Sequence, residues 1–440
     1  MQDETISTQI NSYGGISFVI AKMNKLGIPQ LFDSILGARP KQSTYSNSDA
    51  FLSWMYCNLC GAKRLEDINT ENLYAIFKQI PIVKLCSPDQ VARVLKKFQT
   101  MPEKHSKGAE HVFNRNRLLN DLLLQFSKAL GLLREDEPYL LDYDGTTVPV
   151  EKHDSKPTYK GFRGYSPAVM FIGKIPVSIE ARNGNTSANY KIKEALQDMY
   201  GVLRANKIQT WGIRMDAASY QEDVIKDLHE MGQKFYIRVA NNENIMPDIQ
   251  LADWKQIEIH KRVEEIGDVE FFPYRHGPKF RFVITRFVNA APAEHRRKEI
   301  IYRAIITNDM EKVKQPDGTE IYKRSALDVV RLYDQRGDSE NNFRDLLNDF
   351  NWKRLPFSFM NENLVFMYVS SMAKCLYEYV IRESSQLSPA LDGSFKLKKF
   401  VAYFIKRVSV LWTKEGDGWN FSLLTLKDKF DALRSWAIRK

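Results

Sequence analysis

Cysteine and long apolar runs are scarce in this sequence, and each shortage excludes a class of protein. Four cysteines among 440 residues are too few for a disulfide-stapled secreted scaffold, which indicates a reducing compartment. No run of about 18 apolar residues is present, so we expect no membrane span. The most apolar helical stretch, Leu364 to Ile381, is interrupted by Lys374 and Glu378, and we expect it to lie in the core.

Two further absences concern targeting and metal binding by cysteine. The first residues, MQDETISTQI, lack the basic and then apolar order of a signal peptide, which predicts a cytoplasmic protein. Cys57 and Cys60 form a CxxC pair, but no second Cys or His pair follows at zinc-binding spacing. We therefore expect both to be small core residues on a helix.

Positive charge is what the sequence has in excess. Sixty-four Lys and Arg face 54 Asp and Glu, for a net charge of +10, while 43% of residues are hydrophobic. The length and composition predict a globular protein of two or three domains. The charge favours a polyanionic partner, and nucleic acid is the leading candidate.

The first 130 residues are predicted to be helical. The stretch LCSPDQVARVLKKF predicts a helix capped by Ser87 with Pro88 in its first turn. It carries Arg93, Lys96 and Lys97. Two interpretations stay open here, a helix-turn-helix reader in a DNA major groove and a solvated basic face.

Carboxylates lie on or at the end of two of the strands predicted after residue 138. Asp142 and Asp144 in YLLDYDGTTVPV share one strand face, where they repel each other unless a cation intervenes, so a metal site is the economical interpretation. The alternative is a strand end that frays into solvent. Asp216 ends the predicted strand IQTWGIRMD, the edge at which α/β sheets build sites. Ser219 and Glu222 then have the spacing of a capping box for the next helix.

The stretch YDQRGDSENNFRDLL carries a third acidic position. Tyr333, Arg336, Glu340, Arg344 and Leu347 follow at offsets 0, 3, 7, 11 and 14, which places them on one face of a continuous helix. Arginine binds phosphate through its fork, and a carboxylate helps to hold a hard cation. A solvated polar stripe is the alternative. The glycine after Arg336 costs about 1 kcal/mol relative to alanine and permits a bend or break there.

The ordered set of motifs resembles the DDE transposases of bacterial insertion sequences. The matching pieces are LDYDGTTVPV, KGFRGYSPA, RMDAASY, FYIRVAN and YDQRGDSEN, and the resemblance runs from about residue 11 to the C-terminal helices. It implies an α/β fold with an RNase H-like core, interrupted by a β-rich insertion and flanked by helical regions. The implied units are a helical N-terminal DNA-binding domain (1–130), a first core part (131–242), the β-rich insertion (243–324), a second core part (325–385) and a helical C-terminal region (386–440).

The resemblance also implies the site residues. Asp144, Asp216 and Glu340 would be the metal-binding carboxylates. Tyr333 and Arg336 match the family's Tyr-x-x-Arg-x-x-x-Glu signature and would position phosphate. Asp142 is a rival for the first carboxylate, and we favour Asp144 because it stands in the D-x-T context.

One family position departs from the pattern. The family usually has a lysine seven residues after the glutamate, and here that residue is Leu347. Arg344 or Lys353 would be the substitutes for this phosphate contact. Trp254 in the insertion is a candidate to stack on a flipped base, with a tryptophan packed on a strand as the alternative.

The implied activity is cut-and-paste transposition. Two Mg²⁺ ions, which Mn²⁺ could replace, would activate the attacking oxygen and stabilise the leaving one. The freed 3′-hydroxyl would then attack target DNA. The implied partners are double-stranded transposon ends, target DNA and a second copy of the chain, in a bacterial cytoplasm and at its nucleoid. A decayed transposase acting as a DNA-binding repressor, and an RNase H-fold nuclease without strand transfer, are the alternatives.

Overall fold

The computed structural model describes residues 13–107, 109–240, 249, 252–259, 262–275, 277–288 and 300–438. Helices dominate both ends of the chain. The α-helices are α1 (Ile16–Lys25), α2 (Ile28–Leu36), α3 (Asn47–Leu59), α4 (Glu71–Gln79), α5 (Pro88–Lys96), α6 (Arg117–Ala129), α7 (Ile192–Ala205), α8 (Glu222–Glu230), α9 (Ala326–Asp334), α10 (Asp338–Asn348), α11 (Met360–Leu387), α12 (Leu397–Phe400) and α13 (Lys427–Ile438).

Strands fill the middle of the chain. They are β1 (Glu103–Lys107), β2 (Ala109–Arg115), β3 (Tyr139–Gly145), β4 (Val148–Pro149), β5 (Lys156–Pro157), β6 (Arg163–Tyr165), β7 (Ala168–Ile172), β8 (Ile175–Arg182), β9 (Thr210–Met215), β10 (Lys234–Arg238), β11 (Lys255–Ile259), β12 (Arg262–Phe271), β13 (Phe280–Val288), β14 (Ile300–Thr307), β15 (Lys312–Lys314), β16 (Glu320–Tyr322), β17 (Val410–Glu415) and β18 (Gly418–Leu423).

One sheet of eleven strands organises the described residues, in the order β1-β2-β8-β7-β3-β9-β10-β14-β13-β12-β11. At its centre β3, β9 and β10 run parallel to one another, while β7 and β8 are antiparallel on the other side of β3. In chain order these five strands are arranged 3-2-1-4-5. The fold is therefore mixed α/β, as expected.

The strands expected in the insertion belong to the same sheet. β14 pairs with β10, and β13, β12 and β11 follow outward, each antiparallel to its neighbour. The segment therefore enlarges the central sheet by an antiparallel ribbon.

The long helix α11 forms the centre of the helical part. It packs on α3, α6 and β8, and the Tyr368 hydroxyl donates to Asn120 Oδ1 at 2.9 Å. Among the described residues α11 alone is long and apolar enough to cross a membrane, but 94% of its most apolar window is buried within this fold. The expectation of a buried core helix over Leu364 to Ile381 is confirmed.

Several local expectations can be compared directly with the structure. Ser87 caps α5 by accepting a hydrogen bond from the Gln90 amide, as predicted. Cys57 and Cys60 are buried and reduced, as expected of core residues. The prediction of a capping box from Ser219 to Glu222 was wrong, because Ser219 ends a 3₁₀ turn. α8 begins at Glu222, and its N-cap residue is Gln221.

One element prediction was wrong. The first 130 residues, expected to be helical, also contain the antiparallel strands β1 and β2, which extend the central sheet at one end. The break that Gly337 permits in the helix predicted over residues 333–347 is present, because a 3₁₀ turn over Gln335–Gly337 separates α9 from α10. The C-terminal region, expected to be mainly helical, contains the hairpin of β17 and β18 at the hairpin-like loop that Gly416-Asp417-Gly418 predicts. Gly416 turns this hairpin with a φ of +60°, a conformation that glycine adopts without strain.

Candidate active site

Two carboxylates meet where parallel strands end side by side. Asp144 is the last residue but one of β3, and Asp216 directly follows the last residue of β9. β3 and β9 are hydrogen-bonded neighbours that run in the same direction. Their carboxyl ends therefore share one edge of the sheet, the edge at which α/β folds place their sites.

Asp144 is largely buried and forms an ion pair with Arg336 at this edge. Its side chain is 15% exposed, and its Oδ1 lies 3.0 Å from Nη2 of Arg336. Oδ1 also accepts a hydrogen bond from the Gly145 amide at 2.8 Å. Burial, reinforced by Asp216 and opposed by Arg336, raises the pKa of Asp144 to about 6. The carboxylate thus sits where a further cation would stabilise its charge.

Asp216 is held by the turn that follows it. Its Oδ1 accepts hydrogen bonds from the Ala218 amide at 3.1 Å and from the Ser219 hydroxyl at 3.4 Å. This arrangement caps the 3₁₀ turn and fixes the carboxylate at the strand end. Its other oxygen, Oδ2, stays available to a ligand.

The interrupted helix brings its polar residues to the same place. Glu340 and Arg344 on α10 line a groove of about 460 Å³ together with Asp144, Asp216 and Arg336. The Asn342 amide nitrogen donates to the Gly173 carbonyl at 2.8 Å, which fixes α10 against the β7–β8 turn. The three predicted carboxylates therefore face one groove, although the helix is broken.

Tyr333 is hydrogen-bonded to the backbone at the end of β9. Its hydroxyl donates to the Met215 carbonyl at 3.1 Å, immediately before Asp216. Burial raises its pKa, so the hydroxyl stays protonated and keeps this hydrogen bond. Tyr333 ties α9 to the end of β9, while Arg336, one turn further, reaches Asp144.

Arg214 is a residue of the site region that the sequence analysis missed. It is paired with Asp142 across β3 and β9, and its Nε and Nη2 each donate to that carboxylate at 2.7 Å. Its Nη1 donates to the Leu332 carbonyl at 2.6 Å. One guanidinium thus joins both strands to the helix that carries Tyr333. The signal in the sequence was an Arg and an Asp, each two residues before a site carboxylate.

This ion pair separates the two candidates for the first carboxylate. Asp142 is 3% exposed and its charge is neutralised inside the sheet by Arg214. Asp144 lines the open groove beside Asp216. The geometry favours Asp144 as the residue that meets a ligand.

Of the remaining predicted residues, three line this groove and Trp254 does not. Leu347 and Lys353 line it, and so does Arg344, so both possible substitutes for the missing lysine have access to a phosphate there. Trp254 does not line the groove. It is half-buried on the sheet, with the Arg286 guanidinium 4.0 Å from its ring centroid and Tyr302 at 6.4 Å.

Among the described residues, no three His, Cys, Asp or Glu side chains stand close enough together to hold a metal ion as they are. The chemistry of the donors nevertheless suits a hard divalent cation, which prefers carboxylate oxygens. The charge of Asp216 contributes to the raised pKa of Asp144 across the strand ends, and Glu340 is exposed in the same groove. A divalent cation would relieve that repulsion.

Comparisons with known proteins identify a protein family for this chain. The family model for the transposase DDE domain of group 1 matches residues 4–389, a range that includes all three carboxylates. No curated protein sequence matches the chain. The cryo-EM structure of a piggyBac transposase synaptic complex with hairpin DNA is similar over 90% of this chain and 80% of its own, with a TM-score of 0.41 and 10% identity.

Proposed function

Since the chain belongs to the DDE transposase family, whose members use divalent metals to cleave DNA and transfer its strands, we propose that it mobilises a bacterial insertion sequence. It would bind the ends of its element, cleave them, and join each freed 3′-hydroxyl to target DNA. The groove in which Asp144, Asp216 and Glu340 meet two arginines carries this proposal.

We assign the metal-binding role to Asp144, Asp216 and Glu340. Their carboxylates would hold Mg²⁺, or Mn²⁺ in its place, because both are hard cations that take oxygen ligands. When bound, two such cations activate the attacking oxygen and stabilise the leaving oxygen of a phosphodiester.

The arginines of the groove would bind the DNA backbone. Arg336 already lies against Asp144, so its fork is in place for a phosphate oxygen near the carboxylates. Arg344 would take a neighbouring phosphate, and Lys353 lines the same groove. Tyr333, hydrogen-bonded to the Met215 carbonyl, would act by positioning the turn that carries Arg336.

A second groove continues the basic surface away from the carboxylates. Lys353 lines both grooves, and the second, of about 420 Å³, adds Arg64, Lys152 and Arg354, with Glu66 and Glu151 as its acidic residues. None of these four cations forms a salt bridge with a described carboxylate, whereas Lys128 and Lys226 elsewhere do. We propose that duplex DNA leaves the site along this path, which we call the basic track (Arg64, Lys152, Lys353 and Arg354).

Two ends of an element must be handled together, so we propose at least a homodimer in the working complex. Such a complex would act at the bacterial nucleoid in the cytoplasm. We treat Trp254 as a candidate base-stacking residue only in that assembly, since it does not line the groove.

The test is Mg²⁺-dependent cleavage of DNA that carries the ends flanking this gene. We expect wild-type protein to cleave at the ends and Asp216→Asn to bind the DNA with unchanged affinity but to cleave at least about 1,000-fold more slowly, because it loses a charged metal ligand. An asparagine Oδ1 can still accept from Ala218 and Ser219, so the variant keeps its turn.

Asp223→Asn is the matched control, because Asp223 is an exposed acid in the first turn of α8. It should cleave at the wild-type rate. Full activity of Asp216→Asn would refute the site assignment. Binding without cleavage by the wild type would indicate the decayed repressor, and cleavage without strand joining would indicate a nuclease.

A further inference from the structure

A cavity of about 170 Å³ adjoins the groove on the other side of the carboxylates. It shares Asp144, Gly145, Thr146 and Asp216 with the groove. A strand whose phosphate lies at the carboxylates therefore has the groove on one side of the cleavage point and this cavity on the other.

The cavity has the lining of a slot for a flat polar group. Small side chains, including Ala168, Ala188 and Ala218, form much of its wall. Thr146, Thr147 and Ser166 also line it, and their hydroxyls form no hydrogen bond to another described residue. Its volume lies below the roughly 300–1,000 Å³ of pockets that hold whole small molecules, so it suits one planar portion of a larger ligand.

Tyr159 and Lys160 form the outer rim of the cavity. Tyr159 is 83% exposed, the highest value for an aromatic side chain among the described residues. The Lys160 ammonium lies 5.5 Å from its ring centroid. An aromatic face beside a cation is the combination with which proteins bind the base and the phosphate of one nucleotide.

The turn that carries this pair is rigidly built. The Thr158 amide donates to the Phe162 carbonyl at 2.7 Å, and the Gly161 amide donates to the Thr158 carbonyl at 3.0 Å. Gly161 has a φ of +86°, which glycine adopts readily.

Close backbone packing holds the strands of this hairpin to the core. A Cβ on Gly164 would lie 2.2 Å from the Val148 carbonyl oxygen, and one on Gly184 would lie 2.3 Å from that of Lys156. The backbone that carries Tyr159 is therefore held beside the site, so a ligand that stacks on the ring need not order the turn.

We propose that this cavity is a nucleotide slot. The base next to the scissile phosphate enters it and stacks on Tyr159, while Lys160 binds the adjoining phosphate. This inference rests on the proposed function for the identity of the ligand, and it adds a residue that selects and holds the cleaved nucleotide.

Two readouts test the slot independently of each other. One is the fluorescence of 2-aminopurine placed at the first nucleotide on either side of the end, in DNA bound without divalent metal. Stacking on Tyr159 should change this fluorescence on wild-type binding, and Tyr159→Ala should abolish the change. The other is the second-order rate constant of Mg²⁺-dependent cleavage.

For cleavage we expect Tyr159→Ala to lose about 5- to 150-fold, the range of one base–aromatic stack. Tyr159→Phe keeps the ring and should stay near the wild type. An abasic site at the same nucleotide should slow the wild type equally and should slow Tyr159→Ala no further.

Tyr74→Ala is the matched control, because Tyr74 is 47% exposed with the Lys78 ammonium 4.5 Å from its ring centroid but does not line the cavity. It should leave both readouts unchanged. Wild-type cleavage with no effect of Tyr159→Ala, or an abasic penalty that adds to it, would overturn the slot and leave the proposed function standing. A Tyr159-dependent fluorescence change without cleavage would support the slot and refute the proposed reaction, and the absence of both would refute both.

Discussion

Asp142 and Asp144 are the same residue type on the same strand face, yet their partners give them different roles. Asp142 receives two hydrogen bonds from Arg214 deep in the sheet. Asp144 has a single ion-pair contact with Arg336 and opens onto a groove. A buried carboxylate matched by a fork-shaped guanidinium is structural, whereas one left at a strand end can take a ligand.

We predict that Arg214→Met destabilises the protein by about 3–5 kcal/mol, because it removes the cation that neutralises a carboxylate buried in the sheet. Arg214→Lys should recover only part of this, since an ammonium cannot bridge Asp142 and the Leu332 carbonyl with a planar fork. Urea unfolding of the two variants measures the difference.

The control is Arg117→Met, which removes a partner of Asp198 from a side chain that is 78% exposed. A surface pair contributes about 0–1 kcal/mol, so this variant should unfold close to the wild type. A loss below 1 kcal/mol for Arg214→Met would contradict the bridging role of Arg214.

The raised pKa of Asp144 gives a pH dependence to metal binding. The ionised carboxylate is the form that binds a cation, so protons compete with the metal below the pKa of about 6 and release it as pH falls. We predict that Mn²⁺ affinity is nearly constant above pH 7 and falls by up to about tenfold per pH unit below pH 6. Isothermal titration calorimetry from pH 7.5 to 5 measures this. Asp144→Asn should bind weakly without that step, and equal wild-type affinity at pH 7.5 and 5 would exclude Asp144 as a ligand.

At the scale of elements, the break between α9 and α10 is held from both sides. Tyr333 binds the Met215 carbonyl before the break, and Asn342 binds the Gly173 carbonyl after it. Gly337 itself has a helical φ of −53°, and an added Cβ there would meet no atom within 4 Å. Tertiary contacts rather than glycine flexibility therefore fix the two helices.

Gly337→Ala should consequently stabilise the protein by about 0.4–1 kcal/mol, because alanine restricts the unfolded chain and fits the native backbone. Cleavage of the element ends should stay within twofold of the wild type. Thermal unfolding and the cleavage assay measure the two effects. A stabilised variant with impaired cleavage would instead mean that the break moves during the reaction.

The elements that could be predicted from the sequence are those with a local signal. Ser87 and Pro88 mark the start of α5, and apolar runs mark β7 and β8. The three carboxylates could be proposed from the sequence because two lie at the ends of predicted strands and one stands in a family signature. The partners of those residues depend on distant contacts, so neither the Arg214 bridge nor the Tyr333–Met215 bond has a local signal strong enough to predict it.

At the scale of the whole molecule, the groove at the carboxylates and the basic track are neighbouring surfaces. Lys353 connects the groove at the site with the track beyond it. Lys152 in the basic track is partly desolvated, and this burial lowers its pKa. An incompletely hydrated cation without a described salt bridge gains most from meeting a phosphate.

Binding through the basic track should therefore release counterions in proportion to its cations. The logarithm of the DNA association constant falls with the logarithm of salt concentration by about 0.9 per neutralised phosphate. We predict that Lys152→Gln and Lys353→Gln each reduce this slope by about one and weaken binding similarly for all sequences. Fluorescence anisotropy between about 50 and 200 mM salt measures the slope.

Lys226→Gln serves as the control, because this partly exposed lysine already pairs with Glu222 at 2.6 Å on α8. It removes the same charge from the molecule, so it tests whether net charge alone sets the slope. If Lys226→Gln lowers the slope as much as Lys152→Gln does, the effect belongs to the overall charge of +10 and not to a path. If only the track variants lower it, the DNA follows the cations from the carboxylates across Lys353 to Lys152.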